Sequence, residues 1–311
     1  MWNRQKLNSK KLPINLKLRN AFLLCFFGLL FATTARAQII FPPSGMEFRS
    51  TPKFNPEFIE KNKISEIRSR VETKRDGDRI RNSNSSEVYH FNQNGTTRMI
   101  AHINGAMRDT SITIFEYTGG RLNCEVKNDA AGMYSYCYEY DKDDRLASLK
   151  YGRAKRESGI TASLHFEPVS EITTERYSYA KVENQLHATL HNASGRPYIK
   201  ETRYYDDHGY LVKYLKTYVI GSSRHEENYT YNENGWLATK TVNHGANTYT
   251  LIFTYDTIGN LQEEQKIEDG KTMYRKEYVY DPKTMLLTAE LKREDENEII
   301  IITTYTYKYN S

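Results

Sequence analysis

Aromatic and β-branched residues recur along this chain in alternation with polar ones, in short runs that stop at Asp or Asn and a Gly. Tyr249-Thr250-Leu251-Ile252-Phe253-Thr254-Tyr255 and the run Glu298 to Tyr307 show the pattern. Dense β-branched and aromatic content with a period of two reads as strand. Ten times between Phe91 and Tyr309 the chain returns to one phrase, an aromatic pair followed by Asp or Asn and usually a Gly. Its second aromatic falls at Phe91, Tyr117, Tyr140, Tyr179, Tyr205, Tyr231, Tyr255, Tyr280 and Tyr309, at steps of 23 to 29 residues apart from one of 39. A tenth copy, His191 to Gly195, is off-period and degenerate. A period near 25 suits one two-stranded unit with two turns, and the long step reads as an insertion around Gly152–Pro168.

The turn has a mechanism. In Tyr204-Tyr205-Asp206-Asp207-His208-Gly209-Tyr210-Leu211 the Asp206 side chain can accept a backbone N–H two residues on. Gly209 can take the positive φ that closes a three-residue hairpin. Asn232 with Gly235, and Asp256 with Gly259, repeat the arrangement. Tyr-x-Tyr places both rings on one face of a strand, and neighbouring repeats then stack Tyr beside Tyr, which adds about 0.5–1.5 kcal/mol per pair. The fold class expected is all-β: repeated antiparallel hairpins in a long curved or coiled meander sheet. Within it, Ile299–Tyr307 would be an aggregation-prone edge unless paired or twisted away.

The phrase Tyr-x-Tyr-Asp-x-x-Gly-x-Leu resembles the YD repeat of the RHS-repeat family, found in secreted bacterial shells and in the teneurin ectodomain. The resemblance covers residues 89–309. It departs at Tyr138-Glu139-Tyr140-Asp141, where Asp144 stands for Gly, and at Tyr278-Val279-Tyr280-Asp281, which continues Pro282-Lys283-Thr284. It implies a coiling hairpin-repeat sheet in a small, stand-alone secreted bacterial member, without the full toxin-enclosing cage.

The N-terminus carries six Lys/Arg in residues 1–20, an apolar run Ala21–Ala32, and Ala35-Arg36-Ala37. Those three parts read as a signal peptide over residues 1–37, too short in its apolar run for a membrane anchor. Its removal takes seven basic residues and no acid, so a net charge of +5 becomes −2. The basicity is a targeting signal, and nucleic-acid binding is demoted. Residues 38–88 form a lead-in: a Pro-punctuated stretch, a short helix started by Asn55-Pro56-Glu57, and an entry hairpin signalled by Asp76-Gly77. Residues 89–311 are the repeat domain. Cys124 and Cys137 flank a turn-like segment; in an oxidising compartment they suit a disulfide, the alternative being two small buried residues.

Eight histidines are present, but no HExxH, CxxC, P-loop or GxSxG pattern occurs. His208 reads as a solvated turn residue, and the acidic turns lack the twelve-residue ligand spread of an EF-hand. No metal, cofactor or enzymatic activity is expected, and no transmembrane segment in the mature chain. Exposed Tyr and Trp faces can stack on sugar rings, which makes Trp236 and then Tyr210 the candidate ligand-binding residues, against a plainer role in hairpin packing. The expectation is an exported binding scaffold at the periplasm, outer surface or medium, with a glycan or envelope protein as partner. The alternative is a shell or cradle enclosing a passenger chain.

Overall fold

The structure is a computed structural model that describes residues 38–40, 52–156 and 166–310, apart from 106, 108, 222, 246, 296 and 297. Residues 1–37, expected to be a signal peptide, and the tip of the expected insertion, 157–165, lie outside the described residues. A single helical turn and a half, α1 (Pro56–Lys61), precedes eighteen strands. They are β1 (Ile64–Arg75), β2 (Arg81–Phe91), β3 (Thr97–Asn104), β4 (Asp109–Thr118), β5 (Arg121–Asp129), β6 (Gly132–Tyr140), β7 (Leu146–Arg156), β8 (Phe166–Val182) and β9 (Gln185–His191). The second half comprises β10 (Pro197–Tyr205), β11 (Leu211–Tyr218), β12 (Arg224–Tyr231), β13 (Leu237–His244), β14 (Asn247–Tyr255), β15 (Leu261–Glu268), β16 (Lys271–Tyr280), β17 (Leu287–Glu294) and β18 (Ile299–Tyr309). Each strand pairs antiparallel with the next, so the meander expected from the repeats is present. The sheet is not open, however. β18 pairs with β1 over its whole length, from Ile64↔Tyr309 to Arg75↔Ile299, and the meander closes into an eighteen-stranded barrel. Closure consumes the edge at Ile299–Tyr307, because a barrel has no unpaired strand to protect.

The repeat phrase builds one rim of this barrel. Asp206 N–H donates to the Tyr210 carbonyl at 2.9 Å and Gly209 N–H to the Asp206 carbonyl at 3.0 Å, while Asp206 Oδ1 accepts from His208 and Tyr210 N–H at 2.9 and 2.8 Å. Asn232 and Asp256 organise their turns in the same way. Gly209, Gly235 and Gly259 all sit at positive φ; where Gly is replaced, Asp144 and Met285 take positive φ themselves. The second tyrosine of each unit then ties one hairpin to the one before. Tyr231 Oη donates to the Leu211 carbonyl at 2.9 Å, Tyr255 to Leu237 at 2.9 Å, Tyr280 to Leu261 at 2.8 Å, Tyr140 to Leu122 at 2.9 Å and Tyr179 to Leu146 at 2.8 Å. Tyr307, not Tyr309, makes the last rung, to Leu287 at 2.5 Å. The final aromatic pair is therefore Tyr305 and Tyr307. The off-period copy at His191–Gly195 joins β9 to β10 at the opposite rim, which is why it falls out of step.

The two faces of the sheet differ sharply. On one stand the tyrosines Tyr89, Tyr138, Tyr177, Tyr214, Tyr229, Tyr278 and Tyr305, with Leu211, Leu237, Leu261 and Leu287 beneath the rim. Tyr89, Tyr138, Tyr229 and Tyr305 are buried on this face, and the lead-in packs against it, so it is the concave wall. The alternate positions include Arg68, Arg70, Lys150, Arg176, Arg275, Glu277 and Arg293, all exposed. One strip on that outward face, Val88, Ile114, Val126, Ser135 and Thr174 across β2 to β8, is buried.

The lead-in lies on the concave wall. Asn55 caps α1 by accepting from Glu57 N–H at 3.0 Å, and Ile39, Phe54, Phe58 and Ile59 join Ile64, Ile67, Tyr89, Phe91 and Leu287 in the largest apolar cluster. Ile64, Ile67 and Val71 belong to strand β1. The entry hairpin β1–β2 is thus part of the barrel wall and contributes the closing strand.

The turns separate strain from contact. A Cβ at Gly209 meets nothing within 4 Å, whereas one at Gly95 would stand 1.9 Å from the Pro56 carbonyl oxygen, both at positive φ. Gly209→Ala should therefore cost about 1–2 kcal/mol of left-handed strain alone. Gly95→Ala should cost more and displace the lead-in, read as larger loss of stability in urea and faster proteolysis within 52–62. Equal effects of the two substitutions would contradict the packing of α1 on this turn.

Candidate functional site

Below the ring of leucines the concave wall carries a belt of carboxylates held by tyrosines. In three strands the motif is Glu-x-Tyr, with both residues on one face two apart. Tyr89 Oη donates to Glu87 at 2.6 Å, Tyr177 to Glu175 at 3.1 Å, and Tyr229 to Glu227. Elsewhere the partner comes from the neighbouring strand. Tyr138 donates to Glu125 at 3.2 Å, Tyr274 to Glu264 at 2.6 Å and Tyr305 to Glu290 at 2.9 Å. This belt went unread in the sequence, although Glu87-Val88-Tyr89, Glu175-Arg176-Tyr177 and Glu227-Asn228-Tyr229 recur in phase with the turns.

Cations complete the belt. Lys240 lies 3.3 Å and His225 Nε2 2.9 Å from Glu227, and Lys127 lies 2.9 Å from Glu125. Burial opposes ionisation of Glu227, yet hydrogen bonds from Tyr229 and His225 and the Lys240 charge hold its pKa below the usual carboxylate range. Glu290, also buried, is met by two lysines. Lys53 of the lead-in and Lys276 of β16 each place Nζ 2.8 Å from it, and Lys53 also reaches the Tyr305 hydroxyl at 2.6 Å. Burial alone would raise its pKa; the two ammonium groups win and hold it at about 2. Further down, lysines lie over tyrosine rings: Lys266 over Tyr249 at 4.5 Å and Lys292 over Tyr274 at 4.7 Å. Such contacts contribute about 0.5–2 kcal/mol each.

The two aromatic residues singled out in the sequence sit at the rim. Tyr210 packs on Tyr231 with ring centroids 4.7 Å apart, and Trp236 packs on Tyr255 at 5.3 Å. Each also covers the glycine of the next turn: a Cβ at Gly235 would meet Tyr210, and one at Gly259 would meet Trp236. They are one turn-to-turn arrangement repeated, with Tyr210 40% exposed. Cys124 and Cys137 stand directly opposite on the outward face of β5 and β6 and are joined by a disulfide. His208 is exposed at its turn tip, and among the described residues no three His, Cys, Asp or Glu side chains converge as a metal site.

No family model and no curated protein sequence matches the chain. Among solved structures it is similar to a porin-like protein from Bacteroides uniformis, at 12% identity over 79% of this chain and 97% of that one, with a TM-score of 0.36. A porin-like protein from Bacteroides vulgatus aligns at 8% identity over 79% and 98%, with a TM-score of 0.32. The TcdB2-TccC3 structure aligns at 14% identity over 72% of this chain but only 16% of that one, with a TM-score of 0.23. Identities and scores this low assign no function.

Glu290 generates a test with a definite sign. Its pKa of about 2 lies below the ordinary 4.5. The stability it contributes is therefore complete above about pH 4.5 and lost as pH falls towards 2. Glu290→Gln leaves two ammonium groups facing a neutral amide and should cost about 3 kcal/mol at neutral pH. Urea titrations across pH 2–7 should show a shallower acid limb in the variant; identical limbs would exclude this carboxylate as the lead-in's anchor.

Proposed function

We propose that the chain is an exported, non-enzymatic binding scaffold of the bacterial envelope or surface, a water-standing barrel of YD-type repeats of the RHS kind. Its ligand class is carbohydrate, engaged on the tyrosine-rich rim and wall. The observation that carries this reading is the sense of the barrel. A transmembrane barrel turns an apolar band outward and keeps its lumen polar, with aromatic girdles at the interfaces. Here the tyrosines and leucines face inward, and Arg68, Arg70, Lys150, Arg176, Arg275 and Arg293 are exposed on the outside. Each Arg or Lys at a lipid midplane costs about 2–4 kcal/mol. Several of them on one wall weigh heavily against lipid and in favour of water.

The scaffold reading is further supported by how the interior carboxylates are used. Glu87, Glu125, Glu175, Glu227, Glu264 and Glu290 each accept from a tyrosine, and several also face a lysine or histidine. A general acid or base must be available to substrate, and these are committed to the wall. Closure supports a second reading, the cradle that encloses a passenger, since closed barrels of this strand number leave an interior. Part of that interior is already taken by Lys53, Phe54 and α1.

Residues 38–311, produced without detergent, should elute as one species of a single chain and fail to float with lipid vesicles. Insertion into vesicles with ion conductance would overturn the water-standing barrel. A second polypeptide retained at fixed stoichiometry would replace the first reading with the second.

A further inference from the structure

The ladder of tyrosine hydroxyls on leucine carbonyls is open at Tyr117. Tyr117 occupies the same place in β4 that Tyr140, Tyr231, Tyr255 and Tyr280 occupy in their strands, and the acceptor it would meet is the carbonyl of Thr97. Among the described residues the Tyr117 hydroxyl makes no hydrogen bond. The cause is local. β4 and β5 are joined by Gly119-Gly120 alone, in place of the five-residue Asp-to-aromatic turn. Tyr117 and its partner Leu122 enclose four residues where Tyr205 and Leu211 enclose five, and a Cβ added at either glycine would meet nothing within 4 Å. A side chain comparable to Tyr210 or Trp236 has no next turn to cover at this point.

The gap is a cleft of about 730 Å³ between the β2–β3 turn and the β4–β5 hairpin. That volume falls within the range of small-molecule sites, about 300–1,000 Å³. Phe115 and Tyr117 line it, with amides on Asn92, Gln93, Asn94 and Asn123. Thr96 and Thr118 add hydroxyls, and Glu116 is the one charged residue in the lining. Asn92 departs from the other turns as well. Its Nδ2 donates to Thr96 Oγ1 at 2.9 Å, and the N–H of Thr96 turns to Asn94 Oδ1 at 3.3 Å. Burial, with Glu125 and Tyr140 nearby, pushes the Tyr117 pKa up to about 12, so the hydroxyl stays a protonated donor at any physiological pH.

We infer that this cleft is a binding site for a neutral carbohydrate, the end of a short oligosaccharide. The inference deepens the proposed function and rests on it. Amides present a donor and an acceptor side by side, which suits adjacent sugar hydroxyls. Aromatic rings supply the flat apolar surface on which a sugar face can stack. No Lys or Arg lines the cleft to recognise a phosphate or sulfate, and a single carboxylate is too little to specify a cationic peptide. Tyr117 gives the ligand a hydroxyl that the fold has left unused, where Tyr140, Tyr179, Tyr231, Tyr255, Tyr280 and Tyr307 commit theirs to backbone carbonyls.

The test uses residues 38–311 and four neutral probes: maltotriose, cellotriose, xylotriose and tri-N-acetylchitotriose, with sialyllactose as an anionic control, read by calorimetry. At least one neutral probe should bind in preference to sialyllactose. Tyr117→Phe, which keeps the ring and removes only the hydroxyl, should weaken that binding about fivefold to tenfold, the size of one lost hydrogen bond. Gln93→Ala and Asn123→Ala, both at exposed positions, should weaken it without altering thermal stability, while Trp236→Ala should leave it unchanged. Binding that survives the cleft variants and falls with Trp236→Ala would overturn this site while leaving the carbohydrate scaffold standing. Failure of all four neutral probes would overturn the inference outright; the water-standing barrel is decided separately by vesicle flotation.

Discussion

An eighteen-stranded meander has two edges, and the pairing of β18 with β1 removes both. Eleven registered positions, from Ile64↔Tyr309 to Arg75↔Ile299, join the ends of a chain more than two hundred residues apart. Without that seam, Ile299–Ile302 would be a run of β-branched side chains on an unpaired strand, the profile of an aggregation site. With it, the sheet has an inside and an outside, and every other feature takes its meaning from that division. Tyrosine hydroxyls can then be shielded, carboxylates can be enclosed, and charged side chains can be left in water.

Enclosure makes the wall's polar groups costly unless each is matched, because a buried charge without a partner is strongly destabilising. The concave belt answers this with redundancy. Glu290 is met by Lys53, Lys276 and Tyr305 together, and Glu227 by Lys240, His225 and Tyr229. Lys53 does more than neutralise. It belongs to the lead-in, so its ion pair fastens the segment before β1 to β17 across the seam region, beside the Phe54 contacts with Tyr89 and Tyr305. The segment that differs most from the repeat is thereby the one that braces the closure.

What was legible in the sequence was local. The Asp206–Gly209 turn, its copies at Asn232–Gly235 and Asp256–Gly259, and the Asn55 cap depend on residues within five positions of one another, and their chemistry can be read from those residues. Closure depends on how many hairpins are stacked and on how the twist accumulates, neither of which a single repeat contains. The framing of the last copy on Tyr309 instead of Tyr307 has the same origin: only the partner carbonyl, on Leu287, shows which tyrosine makes the rung. Trp236 and Tyr210 stand out in the sequence as large aromatics in turns, whereas the structure shows them covering Gly259 and Gly235. Tyr117 does not stand out, since its distinction lies in a bond it does not make. The Glu-x-Tyr belt is present in the letters at Glu87, Glu175 and Glu227, but its partners across strands, Glu125, Glu264 and Glu290, become neighbours of tyrosine only through the register of the sheet.

The functional reading stands on the barrel being closed with its tyrosines inward, and amide hydrogen exchange reaches that claim most directly. In a closed barrel the amides of β18 that point towards β1, and those of β1 that point towards β18, are as protected as amides in a central strand such as β14 (Asn247–Tyr255). Slow exchange is expected along both seam strands, with no alternation between successive residues. Fast exchange at every second residue of Ile299–Tyr309, facing an absent partner, would show an open sheet and contradict closure.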